Sequence, residues 1–245
     1  LRDHPALLAW YLNDELPQAM LPRLEAHQRW LEQEDPNHPT WTVLYQVGDV
    51  AAYSRSFDVI GTDPYPIPSR PPALAGEWAR LTRRGVADAR AVWMVPQVFN
   101  WGVYRKTPQE QRSARPPTFD EMRSMTWQCI AEGADGIVFY SWQDLHRDKA
   151  APFEKRWAEI CRVAGEVKQM APVLLSAEPT PKVTVDAPAA VHWTVRRRGP
   201  GVWVFLVNDA ARPAEATVRI AGRPEQRLTL KPLGVEIHEA GAARP

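Results

Sequence analysis

Apolar positions in the first 172 residues follow two alternating patterns. Short runs rich in Val, Ile, Trp and Tyr, apolar on nearly every residue, are each followed by a longer stretch with helical spacing. The runs at 6–12, 42–47, 59–62, 91–98 and 136–142 predict strands. The stretches at 18–33, 73–84, 119–132 and 153–170 predict helices, with a shorter one at 50–55. Thr118 stands where it can cap the third long helix, with Glu121 three residues on in the capping-box position. Strand followed by helix, repeated, argues for parallel strands joined by crossovers. Continuous apolarity fits strands covered on both faces.

After a Pro-rich linker at 173–181 the period changes. Strict alternation at Val183-Val185, Val191-Trp193-Val195, Val202-Val204-Leu206, Ala216-Val218-Ile220, Leu228-Leu230 and Val235-Ile237 predicts six strands of a small antiparallel β-sandwich at 182–245. Residues 196–201 read as a hairpin turn, whose Arg196-Arg197-Arg198 run is a solvated tip. The registers put Trp193 in the sandwich core and leave Trp203 the more exposed of the two.

Polar and aromatic residues gather after the strands of the first region, not before them. The strand ends read Tyr11-Leu12-Asn13-Asp14-Glu15, then Gln46, then Asp63-Pro64-Tyr65-Pro66, then Gln97-Val98-Phe99-Asn100-Trp101, then Tyr140-Ser141-Trp142-Gln143-Asp144. Carboxyl ends of parallel strands open into the mouth where α/β proteins bind ligands.

Composition narrows the function. Thirty basic residues against twenty-nine acidic ones leave a formal charge of +1, so no electrostatic footprint for nucleic acid is present. Uninterrupted apolar runs such as Val202 to Val207 are far short of the ~20 residues of a membrane helix. Two cysteines, Cys129 and Cys161, exclude a disulfide scaffold and are read as small buried apolar residues. The six histidines are scattered without ligand spacing, so no metal site is predicted. No Gly-rich phosphate loop and no Gly-x-Ser-x-Gly elbow occur, and no cofactor is implied. The chain opens at Leu1 with no basic segment leading into an apolar one, so no secretory signal is read there. Eleven Trp and twenty-four Pro are the departures from an ordinary composition. Flat aromatic faces with a polar handle suit sugar rings.

The stretch Asp3-His4-Pro5-Ala6-Leu7-Leu8-Ala9-Trp10-Tyr11-Leu12-Asn13-Asp14-Glu15 resembles one found in (β/α)8-barrel glycoside hydrolases, where it forms strand four and ends in the catalytic acid. Phe57 through Pro66, Val95 through Phe99, and Pro117 through Trp142 resemble strand six, strand seven and the helix leading into strand eight of the same group. An appended sandwich also recurs after such barrels. The resemblance implies an α/β fold: a (β/α)8 TIM barrel, present as its last five units over 1–172, then the sandwich. It implies a carbohydrate substrate and a secreted or periplasmic protein.

Glycoside hydrolysis needs a carboxylic acid for the leaving oxygen and a second group opposite it. Glu15 is the candidate acid/base. At the place of the usual strand-seven nucleophile stands Gln97, which cannot serve. Asp63 could supply the second carboxylate. Alternatively, Asp14 and Glu15 resemble the adjacent pair of substrate-assisted N-acetylhexosaminidases. A third reading is a decayed barrel that only binds or scaffolds. Trp142 is the expected sugar platform, with Trp101, Tyr65, Tyr140 and Tyr11 as further walls. Asn13, Gln46, Gln97 and Gln143 are the expected hydroxyl-binding forks.

Overall fold

The computed structural model describes residues 1–240. Its first region is one parallel sheet of five strands: β1 (Trp10–Asp14), β2 (Thr40–Leu44), β3 (Val59–Thr62), β4 (Ala91–Met94) and β5 (Gly136–Ile137). The strands lie side by side in chain order, 1-2-3-4-5. Such an order has no reversal, and so lacks the switch point at which an open doubly wound sheet binds its ligand. Helix α1 (Leu21–Glu34) joins β1 to β2, and a 3-10 segment (Val47–Tyr53) joins β2 to β3. Helix α2 (Leu74–Val86) joins β3 to β4, and the long return to β5 carries α3 (Pro108–Ser113) and α4 (Phe119–Ala131). After β5 come α5 (Trp142–Arg147) and α6 (Phe153–Leu174).

Side-chain alternation divides the sheet. Leu44, Ile60, Val92 and Met94 point into a buried cluster with Ala75, Ala79, Met125 and Cys129 of α2 and α4. The opposite face carries tryptophans: Trp41 lies 6.0 Å from Trp93 and 4.8 Å from Tyr11, ring centre to ring centre. Gly61 sits between them because a Cβ there would fall within 3.2 Å of Trp41 Nε1 and closer still to the Trp93 carbonyl. Thr118 and Glu121 form the reciprocal capping box at the start of α4.

The strand expected at 6–12 begins four residues later, since backbone bonds from His4 to Leu1 and from Leu7 to His4 coil the chain into turns there. Helix α6 runs through Pro172 to Leu174, so the linker expected from 173 begins two residues later, at Leu175. Cys161 is exposed, against the expectation that both cysteines are buried.

The second region comprises two three-stranded antiparallel sheets. One has the order β10 (Gln226–Leu230), β9 (Ala214–Ile220), β6 (Val183–Asp186). The other has the order β11 (Val235–Ala240), β8 (Gly201–Asn208), β7 (Val191–Arg198). Val202, Val204 and Leu206 of one sheet share a buried cluster with Ala216, Val218 and Ile220 of the other. The back of β8 is buried too. Phe205 stacks on Trp127 of α4 at 5.6 Å, with Val207, Trp203 and Val173 around them. This reverses the expected exposure of the two sandwich tryptophans: Trp203 packs against the helices, whereas Trp193, on edge strand β7, is 40% exposed.

One buried ionic group ties the two regions. The His192 ring of β7 meets Glu132 Oε1 at 2.6 Å and Asp209 Oδ2 at 3.0 Å. Burial opposes its charge, but hydrogen bonds to Asp209 and Glu132 outweigh burial and push its pKa up to about 9.

Candidate active site at the strand ends

A cleft of about 420 Å³ opens at the carboxyl ends of the five strands. Its acids come from the ends of β1 and β3, and its walls are aromatic. At the end of β1 the Glu15 N–H still donates to the Val43 carbonyl, extending the ladder by one residue. The backbone then reverses with Glu15 at φ 55°, a left-handed conformation costly for a residue with a side chain. Asn13 holds the turn by accepting from the Leu16 N–H through its side-chain oxygen. Glu15 is thereby presented, exposed, at the cleft.

Asp63 follows β3 directly and is 6% exposed. Burial is the main force raising its pKa, to about 8; the Glu15 charge and a hydrogen bond shared with Glu15 add to it. A backbone hydrogen bond and one from Tyr65 pull the other way. Asp63 therefore holds a proton at neutral pH. Its Oδ1 has no hydrogen-bond partner among the described residues.

Phenols surround the pair. The Tyr11 hydroxyl donates to Asp14 Oδ1 at 2.8 Å; burial, Asp14, Asp63 and Glu15 together raise its pKa well beyond the phenol range. Tyr65 is raised likewise, by burial, Asp63 and Tyr140 in that order of cause. Tyr65 stacks on Tyr140 at 5.8 Å, with Phe99 edge-on to both. Tyr104 donates to Asp144 Oδ2 at 2.6 Å and lies 3.2 Å from the Tyr140 hydroxyl. Tyr11, Tyr65 and Tyr104 are thereby held as protonated donors across the physiological range.

Of the residues singled out in the sequence, Tyr11, Asp14, Glu15, Asp63, Tyr65, Trp101 and Tyr140 line this one cleft. Five do not. Gln97 is fully buried: its Oε1 accepts from the Ile67 N–H, and its Nε2 donates to the carbonyls of Ile67 and Phe99. It braces the neighbouring loop and has no amide group left for a sugar. Asn13 is buried as the turn-former above. Gln46 points Nε2 at the Glu15 carbonyl from 3.5 Å and stands behind the cleft wall. Trp142 and Gln143 lie outside because the chain leaves the strand direction at Ser141, which caps α5 by accepting from the Asp144 N–H. Trp142 is 57% exposed and packs on His146, away from the cleft. The aromatic wall on that side is Tyr140.

Sequence reasoning passed over Trp41, Phe99 and Tyr104, which also line the cleft. Trp41 falls on the inward-facing alternation of β2. Tyr104 is three residues past Trp101 on one 3-10 turn (Trp101–Tyr104), the spacing that puts two side chains on one side. Among the described residues, no group of three or more His, Cys, Asp and Glu is arranged to hold a metal ion.

No family model matches the chain, and none of the curated proteins compared matches it. Solved structures do. A β-galactosidase from Bacillus circulans sp. alkalophilus superimposes with a TM-score of 0.62 at 10% identity, over 98% of this chain and 71% of that one. The fold is that of glycoside hydrolases. An Anoxybacillus α-amylase gives 0.54 at 10% identity, over 94% of this chain and 57% of its own. A cyclic α-maltosyl-(1→6)-maltose hydrolase from Arthrobacter globiformis gives 0.53 at 10% identity, over 94% and 56%. The chain thus spans little more than half the length of these last two. At such identity the likeness is one of fold, and the chemistry must be argued from the cleft itself.

Proposed function

We propose that this chain belongs to an O-glycosyl hydrolase acting on a poly- or oligosaccharide, with Glu15 as general acid/base and Asp63 as the partner that keeps a proton in the pair. On this reading the five parallel strands are five units of a (β/α)8 barrel, and the two antiparallel sheets form an appended β-sandwich. The observation that carries the proposal is the convergence of two carboxyls from β1 and β3 in an aromatic cleft, one buried enough to stay protonated. On this reading Asp63 stores the proton and Glu15, exposed at the cleft, delivers it to the glycosidic oxygen as the C–O bond breaks. Water then adds at the anomeric carbon and returns a proton, completing the hydrolysis.

Asp63 lies beside Glu15, so the negative charge on Glu15 favours the proton on Asp63. The tyrosine and tryptophan walls supply stacking faces for the apolar side of a pyranose, and the phenols donate to its hydroxyls. A substrate-assisted route through Asp14 has less support, because Asp63 stays in the site and Asp14 is engaged by Tyr11.

The test is hydrolysis of a panel of aryl glycosides, N-acetylhexosaminides included, by the protein and its Glu15→Gln variant. Turnover that vanishes in the variant supports the proposal. Turnover equal in both, or confined to N-acetylhexosaminides, refutes it.

A further inference from the structure

Beside the cleft lies a second cavity of about 500 Å³. The 3-10 turn Trp101–Tyr104 is the wall between them: Trp101 and Tyr104 line the cleft, whereas Gly102 and Val103 line the second cavity. Its other sides come from α3 and from the segment after α5, which bring Arg112, Arg147 and Lys149 to one space.

Of the acids in this neighbourhood, Asp148 lines the cavity, and Asp144 and Glu110 stand outside its lining. Asp144 is 2% exposed and is held by Tyr104, Ser141 and Arg147. Asp148 Oδ1 accepts from Asn100 Nδ2 at 3.3 Å and from the Ala150 N–H at 2.8 Å. Glu110 is occupied by the capping box with Thr107.

The cations are differently placed. Arg147 donates to Asp144 and to the Val103 carbonyl, with its guanidinium 5.2 Å over the Tyr104 ring. That fixes it as part of the shared wall. Arg112 and Lys149 are exposed and have no hydrogen-bond or ion-pair partner among the described residues. The chain as a whole is nearly neutral, whereas the lining of this cavity carries Arg112, Arg147 and Lys149 against the single carboxylate of Asp148.

We infer that this cavity is an anion subsite adjoining the cleft, in which Arg112 and Lys149 take the carboxylate or sulfate of an acidic saccharide bound across the Trp101–Tyr104 turn. The inference rests on the glycosidase reading and narrows its substrate class to charged glycans. A guanidinium fork and an ammonium suit either anion, and both bonds are charge-assisted.

Binding of three tetrasaccharides tests it by calorimetry at low and high salt: tetragalacturonate, a sulfated galactan tetrasaccharide and a neutral galactan one. The protein should prefer an acidic ligand over the neutral one, and salt should erode that preference. Which acid is preferred separates carboxylate from sulfate recognition. In the doubly substituted Arg112→Ser, Lys149→Ser protein the preference should fall about tenfold. Both side chains lie on the surface, so circular dichroism should stay as in the parent. Binding of the neutral ligand as tight as the acidic ones would overturn this inference and leave the glycosidase reading standing. A preference that survives the double substitution would overturn it too. No binding of any of the three would overturn both.

Discussion

The rim of the cleft and the seam between the two regions are both rich in buried polar groups, and they satisfy them differently. At the seam, His192 has both ring nitrogens engaged, the Arg123 guanidinium pairs with Glu166, and Ser124 reaches the Asn208 carbonyl. At the rim, Asn13 Nδ2, Trp41 Nε1, Gln46 Oε1 and Asp63 Oδ1 are buried without a partner among the described residues, and Glu15 sits at a positive φ. A satisfied network stabilises and fixes geometry, whereas unpaired groups and strained backbone lower stability and persist where a ligand uses them. The seam reads as structure, and the rim reads as a site.

Substitutions should separate the two. The largest effect is expected from Glu15→Gln, which should lower hydrolytic kcat by about 10²–10⁴-fold, the range of general acid/base catalysis. Its melting temperature should stay near the parent's, because Glu15 is exposed. A variant that loses activity only by unfolding would place Glu15 with the seam residues instead.

His192→Ala should do the opposite. It removes the ring that bridges Glu132 and Asp209, leaving Arg80 beside Glu132 and Asp209 without its cation, at a cost of about 3 kcal/mol, seen as an earlier midpoint in urea. Any rate effect below the midpoint should be small.

The two regions should also respond to pH over different windows. Asp63 is raised in the folded state, so its stabilising contribution is complete below pH ~4 and is lost as pH rises through about 8. His192 is raised as well; its contribution is complete below pH ~6.5 and lost as pH climbs through about 9. Melting temperatures of Asp63→Asn against pH should therefore decline less between pH 4 and 8 than those of the parent. An identical decline would remove Asp63 from the account of rim stability.

The smallest expected effects come from the aromatics. Tyr140→Ala, removing a cleft wall, should raise KM about tenfold, on the order of one lost stacking contact. Trp142→Ala should leave KM unchanged, since that ring packs on His146 outside the cleft. The reverse pattern would restore Trp142 as the platform.

These aromatics illustrate what the sequence could and could not tell. Alternation of strand and helix gave the parallel sheet, and the crowding of polar and aromatic residues after the strands pointed to Glu15, Asp63, Tyr65 and Tyr140. The displacement of Trp142 was visible in principle: Ser141 with Asp144 three residues on is a helix-start signal. It competed with an apolar run that read as continuing strand. Gln97 was not legible at all. Its amide is consumed by the Ile67 backbone, a partner thirty residues away that only the folded loop brings near. The expected burial of Trp193 and exposure of Trp203 failed for a similar reason, because alternation assigns a face but shows neither that Trp193 lies on an edge strand nor that helices pack over Trp203.

Asp63, buried beside the Glu15 carboxylate, holds a proton at neutral pH. Carbon-detected NMR of the side-chain carboxyls across a pH titration tests it without a substrate. The account predicts an Asp63 midpoint near 8 in the parent that falls in Glu15→Gln but stays above the ordinary aspartate range, because burial remains. An Asp63 midpoint near 4 in both proteins would contradict it.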